Sequence, residues 1–438
     1  MANGVRWLGR RALLGLAAVI GLGVGGAPAT PYLVVDADSG QVLLNNEGSA
    51  TWYPASLTKL MTVYVALDSV RAGKLTLDTP LIMSSRAARM PPSKMGFRPG
   101  TEVTLDNALK MLMVKSPNDV AVMVAEGISG SVEAFADEMN ATAQRLGMND
   151  SHFVNPNGLH NPNHVSSARD MAILARALLR DFPDHQDLFN IGALQLNNQY
   201  IANHNGLLGK YPGADGMKTG FTCPAGFNVV ASANHFGRRL IVVVLGAPSA
   251  RERNQVAADL FDRGFATGQG SGLLDSLPAG SGGAPNNRSN VCLGHHSTAF
   301  AGAEDEGLPE PAQSAAAAGG RSSATPPNPF AALIAAAPLA HTQITDEKLH
   351  FDPVRVYIGP APGWKGPALG AHPTTATGAV ATSDAETNGS ATLQGAAHTP
   401  RSKLKALRHA SAGVKTFKNA VDSGPAKGVT NKKDASTD

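Results

Sequence analysis

Cysteine is scarce in this chain: 438 residues carry two, Cys223 and Cys292. Two widely spaced cysteines make a poor metal site and allow at most one disulfide. The sequence leaves open whether they pair or stay as free thiols. Aromatic residues amount to 5% and charged residues to 16%. The formal net charge of +3 is small, and nothing in it calls for a nucleic-acid partner. Long apolar runs are missing too. The most apolar stretch, residues 12–26, falls short of the roughly 20 residues that a membrane-spanning helix needs. His152, His160 and His164 lie close together, but no H-E-x-x-H or comparable ligand spacing accompanies them. They are expected to be ordinary loop histidines, with no metal and no cofactor. Met90, Met95, Met111 and Met113 are expected to pack rather than to touch a cofactor.

Glycine and proline are plentiful, at 47 and 29. Their distribution divides the chain. Trp52, Tyr53, Phe97, Phe135, Phe153 and Tyr200 all precede residue 266, after which Ala, Gly, Ser, Thr and Pro dominate. Such a composition buries too little apolar surface to offset the entropy of ordering. Residues 267–438 are therefore expected to be low-complexity and largely disordered. One island, residues 352–359, reads as a strand or a short binding motif. The end of the chain is basic: residues 401–438 hold nine Lys or Arg against three Asp, which favours polyanions at low salt.

The start has the layout of a secretory signal peptide. Arg6, Arg10 and Arg11 precede the apolar run, and Ala27-Pro28-Ala29 offers small residues for cleavage. Residues 1–29 are expected to be that signal, the alternative being an uncleaved anchor. An exported protein of the periplasm or cell envelope follows from it.

Between these ends the patterning fits one domain, residues 30–266. Residues 32–36 and 41–44 read as two strands around a turn. A helix beginning near Ser56 is apolar nearly all round, as in a buried helix. Helical periodicity covers residues 106–114, 117–128, 131–146 and 167–179. Residues 217–222, 227–233 and 239–245 read as strands, and residues 249–265 as a closing helix. Strands at both ends and helices between them predict an α/β sandwich, an antiparallel sheet built from both ends of the domain with helices against it.

Three short motifs carry chemistry. In Ser56-Leu57-Thr58-Lys59 a hydroxyl and an amine stand at i and i+3 on one helix face. Serine is a weak nucleophile until a base takes its proton. A buried lysine at a helix N-terminus suits that task. Ser116-Pro117-Asn118 precedes a helix, where Ser and Asn are also ordinary caps. Lys218-Thr219-Gly220 lies on a short strand. There Lys218 offers a cation, Thr219 a hydroxyl, and Gly220 room for a ligand backbone. Each motif alone is weak; the three in this order within one domain are not.

Together they resemble the D-alanyl-D-alanine carboxypeptidases of the low-molecular-mass penicillin-binding proteins. The resemblance covers residues 31–266. It also includes Asn155-Pro156-Asn157-Gly158-Leu159-His160, Ser166-Ser167-Ala168-Arg169-Asp170 and Ala225-Gly226-Phe227. It implies a β-lactamase/transpeptidase-like fold, a peptidoglycan stem peptide as substrate and β-lactams as covalent inhibitors. By the same resemblance Ser56 is the nucleophile, Lys59 its base and Ser116 the proton relay to the leaving D-alanine. Asn118, Lys218, Thr219 and Gly220 would hold the substrate, and the amides of Ser56 and Phe221 would form the oxyanion hole. Arg253 would recognise the terminal carboxylate. Several members carry a second β-rich domain and a C-terminal amphipathic helix that lies on the membrane; neither pattern is visible after residue 266. Three rivals remain. A class A β-lactamase would need a deacylating glutamate in an E-x-x-L-N context, and none occurs between Asn118 and Lys218. An endopeptidase of the same fold shares all three motifs. A non-catalytic peptidoglycan-binding scaffold does not account for them.

Overall fold

The computed structural model describes residues 30–292 and 342–370. The signal-like start, most of the low-complexity stretch and the basic end lie outside these residues. All described residues belong to one unit, Met1–Thr374.

In chain order the elements are β1 (Tyr32–Asp36), β2 (Val42–Asn46), α1 (Thr58–Arg71), β3 (Pro80–Ile82), α2 (Ser85–Ala88), β4 (Glu102–Thr104), α3 (Leu105–Val114), α4 (Asn118–Ser129), α5 (Val132–Leu146), α6 (Ala168–Asp181), β5 (Ala193–Leu196), β6 (Gln199–Ala202), β7 (Ala214–Thr222), β8 (Gly226–His235), β9 (Arg238–Ala247), α7 (Ala250–Ala266), α8 (Arg288–Val291) and β10 (Val354–Val356). Side-chain oxygens of Thr104, Ser131, Ser167 and Ser249 accept the N–H three residues on, capping α3, α5, α6 and α7. Gly130 and Gly147 end α4 and α5 in the left-handed conformation that a side chain resists.

The main sheet is antiparallel, in the order β2-β1-β9-β8-β7. Both of its faces are covered. Leu33, Val35, Ile241, Val243 and Leu245 join a core with α1 and α3 to α6. Their neighbours Val34, Leu240, Val242 and Val244 join a second core with α7, through Val256, Leu260 and Phe261. Burial on two faces explains why β9 reads as an unbroken apolar run, unlike the alternation of a half-exposed antiparallel strand. The expected α/β sandwich with an antiparallel sheet is the observed architecture, as a helix–sheet–helix stack. At its centre runs α1, where Thr58 to Leu67 and Ser69 are all buried.

Beyond residue 266 the described chain stays packed against the domain. Residues 271–274 lie along the outer edge of β2: Val42 donates to Gly272 O (2.8 Å), Ser271 to Val42 O (2.8 Å) and Leu274 to Gly40 O (2.8 Å); further on, Ser49 donates to Pro278 O (2.6 Å) and Asn287 to Pro224 O (3.0 Å). Leu274 enters the main core. Cys223 and Cys292 form a disulfide. Residues 342–370 are also packed, and β10 within the 352–359 island pairs in parallel with β5. These segments are held by backbone hydrogen bonds to existing edges and by polar side chains of α7 and Tyr200, neither of which requires apolar periodicity or leaves a pattern in composition. Among the described residues no helix is long and apolar enough to cross a membrane.

Leu60 is fully buried in the first turn of α1. Leu60→Ala is expected to cost about 2–5 kcal/mol of stability, measurable as a lower urea midpoint at unchanged slope.

Candidate active site

Ser56 sits in a 3-10 turn (Ala55–Leu57) that runs into α1, so Ser56 and Lys59 meet across the first turn of a continuous helical segment. Both are 0% exposed. The Lys59 amine donates to Ser56 Oγ (2.7 Å), Asn118 Oδ1 (2.9 Å) and Asn157 O (2.7 Å). These partners come from three separate segments. A buried amine needs its hydrogen bonds met, so Lys59 ties the three together.

Ser116 and Asn118 stand where α3 gives way to α4. Ser116 is buried with φ +59°, a left-handed conformation unusual for serine. Such strain persists only where the surroundings over-determine it. The residues do not act as helix caps: the N-cap of α4 is Pro117, with no side-chain cap bond. Asn118 instead donates to Pro91 O and Pro92 O, both at 3.1 Å, while accepting from Lys59. Its amide is thereby oriented from both ends. Next to it Asp119 accepts from the N–H groups of Met95 (3.0 Å) and Gly96 (2.8 Å), fixing the loop over the site. Burial pushes the Asp119 carboxyl above its usual range despite these bonds.

Lys218, Thr219, Gly220 and Phe221 lie on β7, an edge strand of the main sheet. A Cβ on Gly220 would stand 2.8 Å from Ser56 N, 3.0 Å from Leu57 N and 3.1 Å from Pro54 O. Only glycine allows β7 to approach the serine turn this closely. Lys218 and Thr219 are buried, and the Lys218 amine donates to Thr219 O (2.8 Å). The Phe221 ring stacks on Phe227 at 4.2 Å. Arg253 is buried on α7, behind the sheet, and its guanidinium donates twice to Asn254 Oδ1 (3.1 and 3.0 Å). The structure thus brings Ser56, Lys59 and Asn118 into direct contact and Gly220 against the same turn. Cys223 follows β7 at its end, away from the Ser56–Lys59 pair in sequence but bonded to Cys292.

Several supporting residues went unread in the sequence. Asn228, a polar residue inside the apolar run of β8, donates to Tyr53 O (3.0 Å) and Pro54 O (3.2 Å) and accepts from Gly246 N (2.8 Å). Its polarity within that run was the available signal. Trp52 Nε1 donates to Ala225 O (2.9 Å), pinning the turn after β7. His164 is the clearest departure. Expected to be an ordinary loop histidine, it is buried. Its Nδ1 accepts from Val154 N (3.1 Å), which leaves Nε2 to donate to Thr58 Oγ1 (2.7 Å). Both ring nitrogens of the neutral form are satisfied, and the partner Thr58 lies between Ser56 and Lys59 in sequence. No group of His, Cys, Asp and Glu that could hold a metal occurs among the described residues.

Burial lowers the His164 pKa from 6.5 to about 3, helped by His152 and His160. Between those values the unfolded chain binds a proton that the fold refuses. This group's stabilisation is therefore complete above pH 6.5 and is lost as pH falls toward 3. Asp170 works the other way. Burial raises it from 3.8 to about 6, although Arg169 pairs with it at 2.7 Å. Its contribution is present below pH 3.8 and is lost as pH rises through about 6. The His164 displacement is the larger, so acid should destabilise the pair. His164→Gln is expected to shrink the drop in melting temperature between neutral and mildly acidic pH, followed by circular dichroism. Gly158, at φ +85°, would carry a Cβ 1.9 Å from Ala55 O. Gly158→Ala should therefore displace the serine turn and reduce any Ser56 reactivity at least about tenfold, read as the rate of covalent labelling of folded protein.

The family model described as D-alanyl-D-alanine carboxypeptidase, peptidase S11, matches residues 26–249, about half of the chain. The D-alanyl-D-alanine carboxypeptidase DacF of Bacillus subtilis is 36% identical over 245 residues, covering 54% of this chain and 62% of its own. DacA of Haemophilus influenzae is 40% identical over 243 residues, with coverages of 54% and 62%. The chain therefore spans 62% of the length of these curated relatives. Penicillin binding protein 5 from Haemophilus influenzae superposes with a TM-score of 0.53 at 37% identity, covering 55% of this chain and 73% of that one. With the motifs in contact, the fold matched and the family model aligned across the domain, the chain belongs to the D-alanyl-D-alanine carboxypeptidase family of serine peptidases.

Proposed function

We propose that this protein is a serine-type D-Ala-D-Ala carboxypeptidase that removes the terminal D-alanine from peptidoglycan stem pentapeptides. The observation that carries the reading is the 2.7 Å contact between Lys59 Nζ and Ser56 Oγ, in a site where both are fully buried. A lysine amine accepts a proton only when uncharged, and removal from water is what disfavours its charged form. The two hydrogens of an uncharged amine can satisfy Asn118 Oδ1 and Asn157 O, which leaves the lone pair facing the Ser56 hydroxyl.

In this reading Ser56 Oγ attacks the carbonyl carbon between the two D-alanines as Lys59 takes its proton. The amides of Ser56 and Phe221 receive the oxyanion that develops. Ser116 returns a proton to the departing D-alanine amine, and water then releases the acyl group from Ser56. Asn118 holds the substrate amide, and Lys218, Thr219 and Arg253 its terminal carboxylate. Support for β7 as the substrate-binding edge comes from Gly220, whose missing side chain brings that strand against the nucleophile. β-Lactams would acylate the same serine. Export to the periplasm or cell envelope follows from the signal-like start and fits a peptidoglycan substrate.

Incubation with a fluorescent penicillin should label Ser56 covalently, and Ser56→Ala should abolish labelling. The wild-type protein should release D-alanine from a stem pentapeptide. A folded wild-type protein that neither takes the label nor releases D-alanine would falsify this reading. Lys59→Ala should lower acylation by roughly a hundredfold or more, measured by stopped-flow labelling on protein that retains a cooperative melt.

A further inference from the structure

Around the Ser56–Lys59 pair at the start of α1, the other catalytic groups stand on two walls. One is the α3–α4 junction, with Ser116 and Asn118. The other is β7, in the sheet that α7 covers. Residues 342–370 bond to the elements behind both, α7 on the sheet side and the start of α3 on the helical side, and they lie beyond the family match, which ends at residue 249.

On the sheet side the segment is fastened to α7. Thr342 donates to Asp262 through N (2.8 Å) and Oγ1 (3.1 Å). Gln255 donates to Thr342 O (3.0 Å) and accepts from Ile344 N (3.1 Å). Asp346 pairs with Arg251 at 3.4 Å. In the middle, Phe351 N donates to the Tyr200 hydroxyl (3.0 Å), and His350 stacks on the Tyr200 ring at 4.7 Å. The Phe351 ring occupies space that a side chain at Gly192 would fill, 2.3 Å from its Cβ position. On the helical side β10 pairs with β5, and Asn107 in α3 donates to Tyr357 O (3.3 Å). Gly359 N donates to Glu102 O (2.6 Å) on β4, which leads directly into α3. Leu369 exchanges backbone bonds with Ile82 and Pro80 of β3. The segment is thus fixed to the start of α3, whose far end delivers Lys115 and Ser116. Between it and the 199–210 stretch runs a groove of about 690 Å³ that Lys115 also lines.

We propose that residues 342–370 are a brace that sets the spacing of the two cleft walls, acting as positioning residues for Ser116 and Asn118. The inference rests on the carboxypeptidase reading for its catalytic consequence. Reacting groups on separate elements tolerate little misplacement: about 1 Å can cost a hundredfold in rate. A segment fastened to α7 behind the sheet and to the start of α3 links the elements that carry both walls and so fixes that distance, whereas one fastened on a single side would only stabilise that side.

The test removes residues 342–370 from the full chain and supplies them back as a synthetic peptide. Acylation by fluorescent penicillin should fall at least about fivefold, and amide exchange at residues 115–118 should speed up. Saturating peptide should restore both. A deletion protein that acylates and exchanges like the intact chain overturns the proposal, as does peptide that binds without restoring either readout. Should the deletion protein lack a cooperative melt, the Gln255→Ala/Tyr200→Phe variant decides. Well below its melting temperature it should acylate more slowly, with faster exchange at residues 115–118; unchanged values refute the brace. Absence of Ser56 labelling in the intact protein would instead sink the carboxypeptidase reading, and the exchange measurements would still judge the brace.

Discussion

The architecture turns on one buried amine. Lys59 lies at the start of the buried helix α1, and its Nζ bonds to Ser56, Asn118 and Asn157. Leaving such a group unsatisfied away from water would cost several kcal/mol. Each partner is therefore obliged to stay, and each belongs to a different part of the chain. The 3-10 turn, the α3–α4 junction and the 155–158 loop converge because the amine requires them. The surrounding devices hold that convergence: His164 on Thr58, Asn228 on the Tyr53–Pro54 carbonyls, and the prolyl carbonyls on Asn118.

Close approach of backbone to backbone is the second constraint. Gly220 and Gly158 flank the serine turn from two directions, and neither position has room for a Cβ. The turn itself contains Ala55 at φ +49°, and Ser116 opposite is also left-handed. Backbone strain of this kind gathers at both sides of the cleft. It is sustained by the rigid sheet, the buried helix and the polar bonds around them.

The brace changes how the low-complexity part of the chain is understood. Composition alone treats everything after residue 266 as solvated. Yet residues 271–274 cover the β2 edge, and residues 342–370 add an edge strand and fasten to α7, β4 and β3. An open sheet edge is a liability that neighbouring chain can cover without apolar periodicity. Polar, glycine-rich sequence suits that task, which is why its packing left no trace in hydropathy.

By itself the sequence determined the main sheet, the buried α1 and the five longer helices, because each rests on local periodicity, caps and turn formers. It also determined the three motifs and the residues within them, since S-x-x-K places Ser56 and Lys59 on one helical face whatever lies around them. Only the tertiary structure decided what those motifs are worth. It brought Asn118 to Lys59, placed Gly220 on the serine turn, and turned His164 from a loop residue into a buried support. It joined Cys223 to Cys292, which spacing had left open. The physical reason is common to all of these. Periodicity and capping act within a dozen residues, whereas hydrogen-bond satisfaction of a buried group draws on segments that only folding brings together.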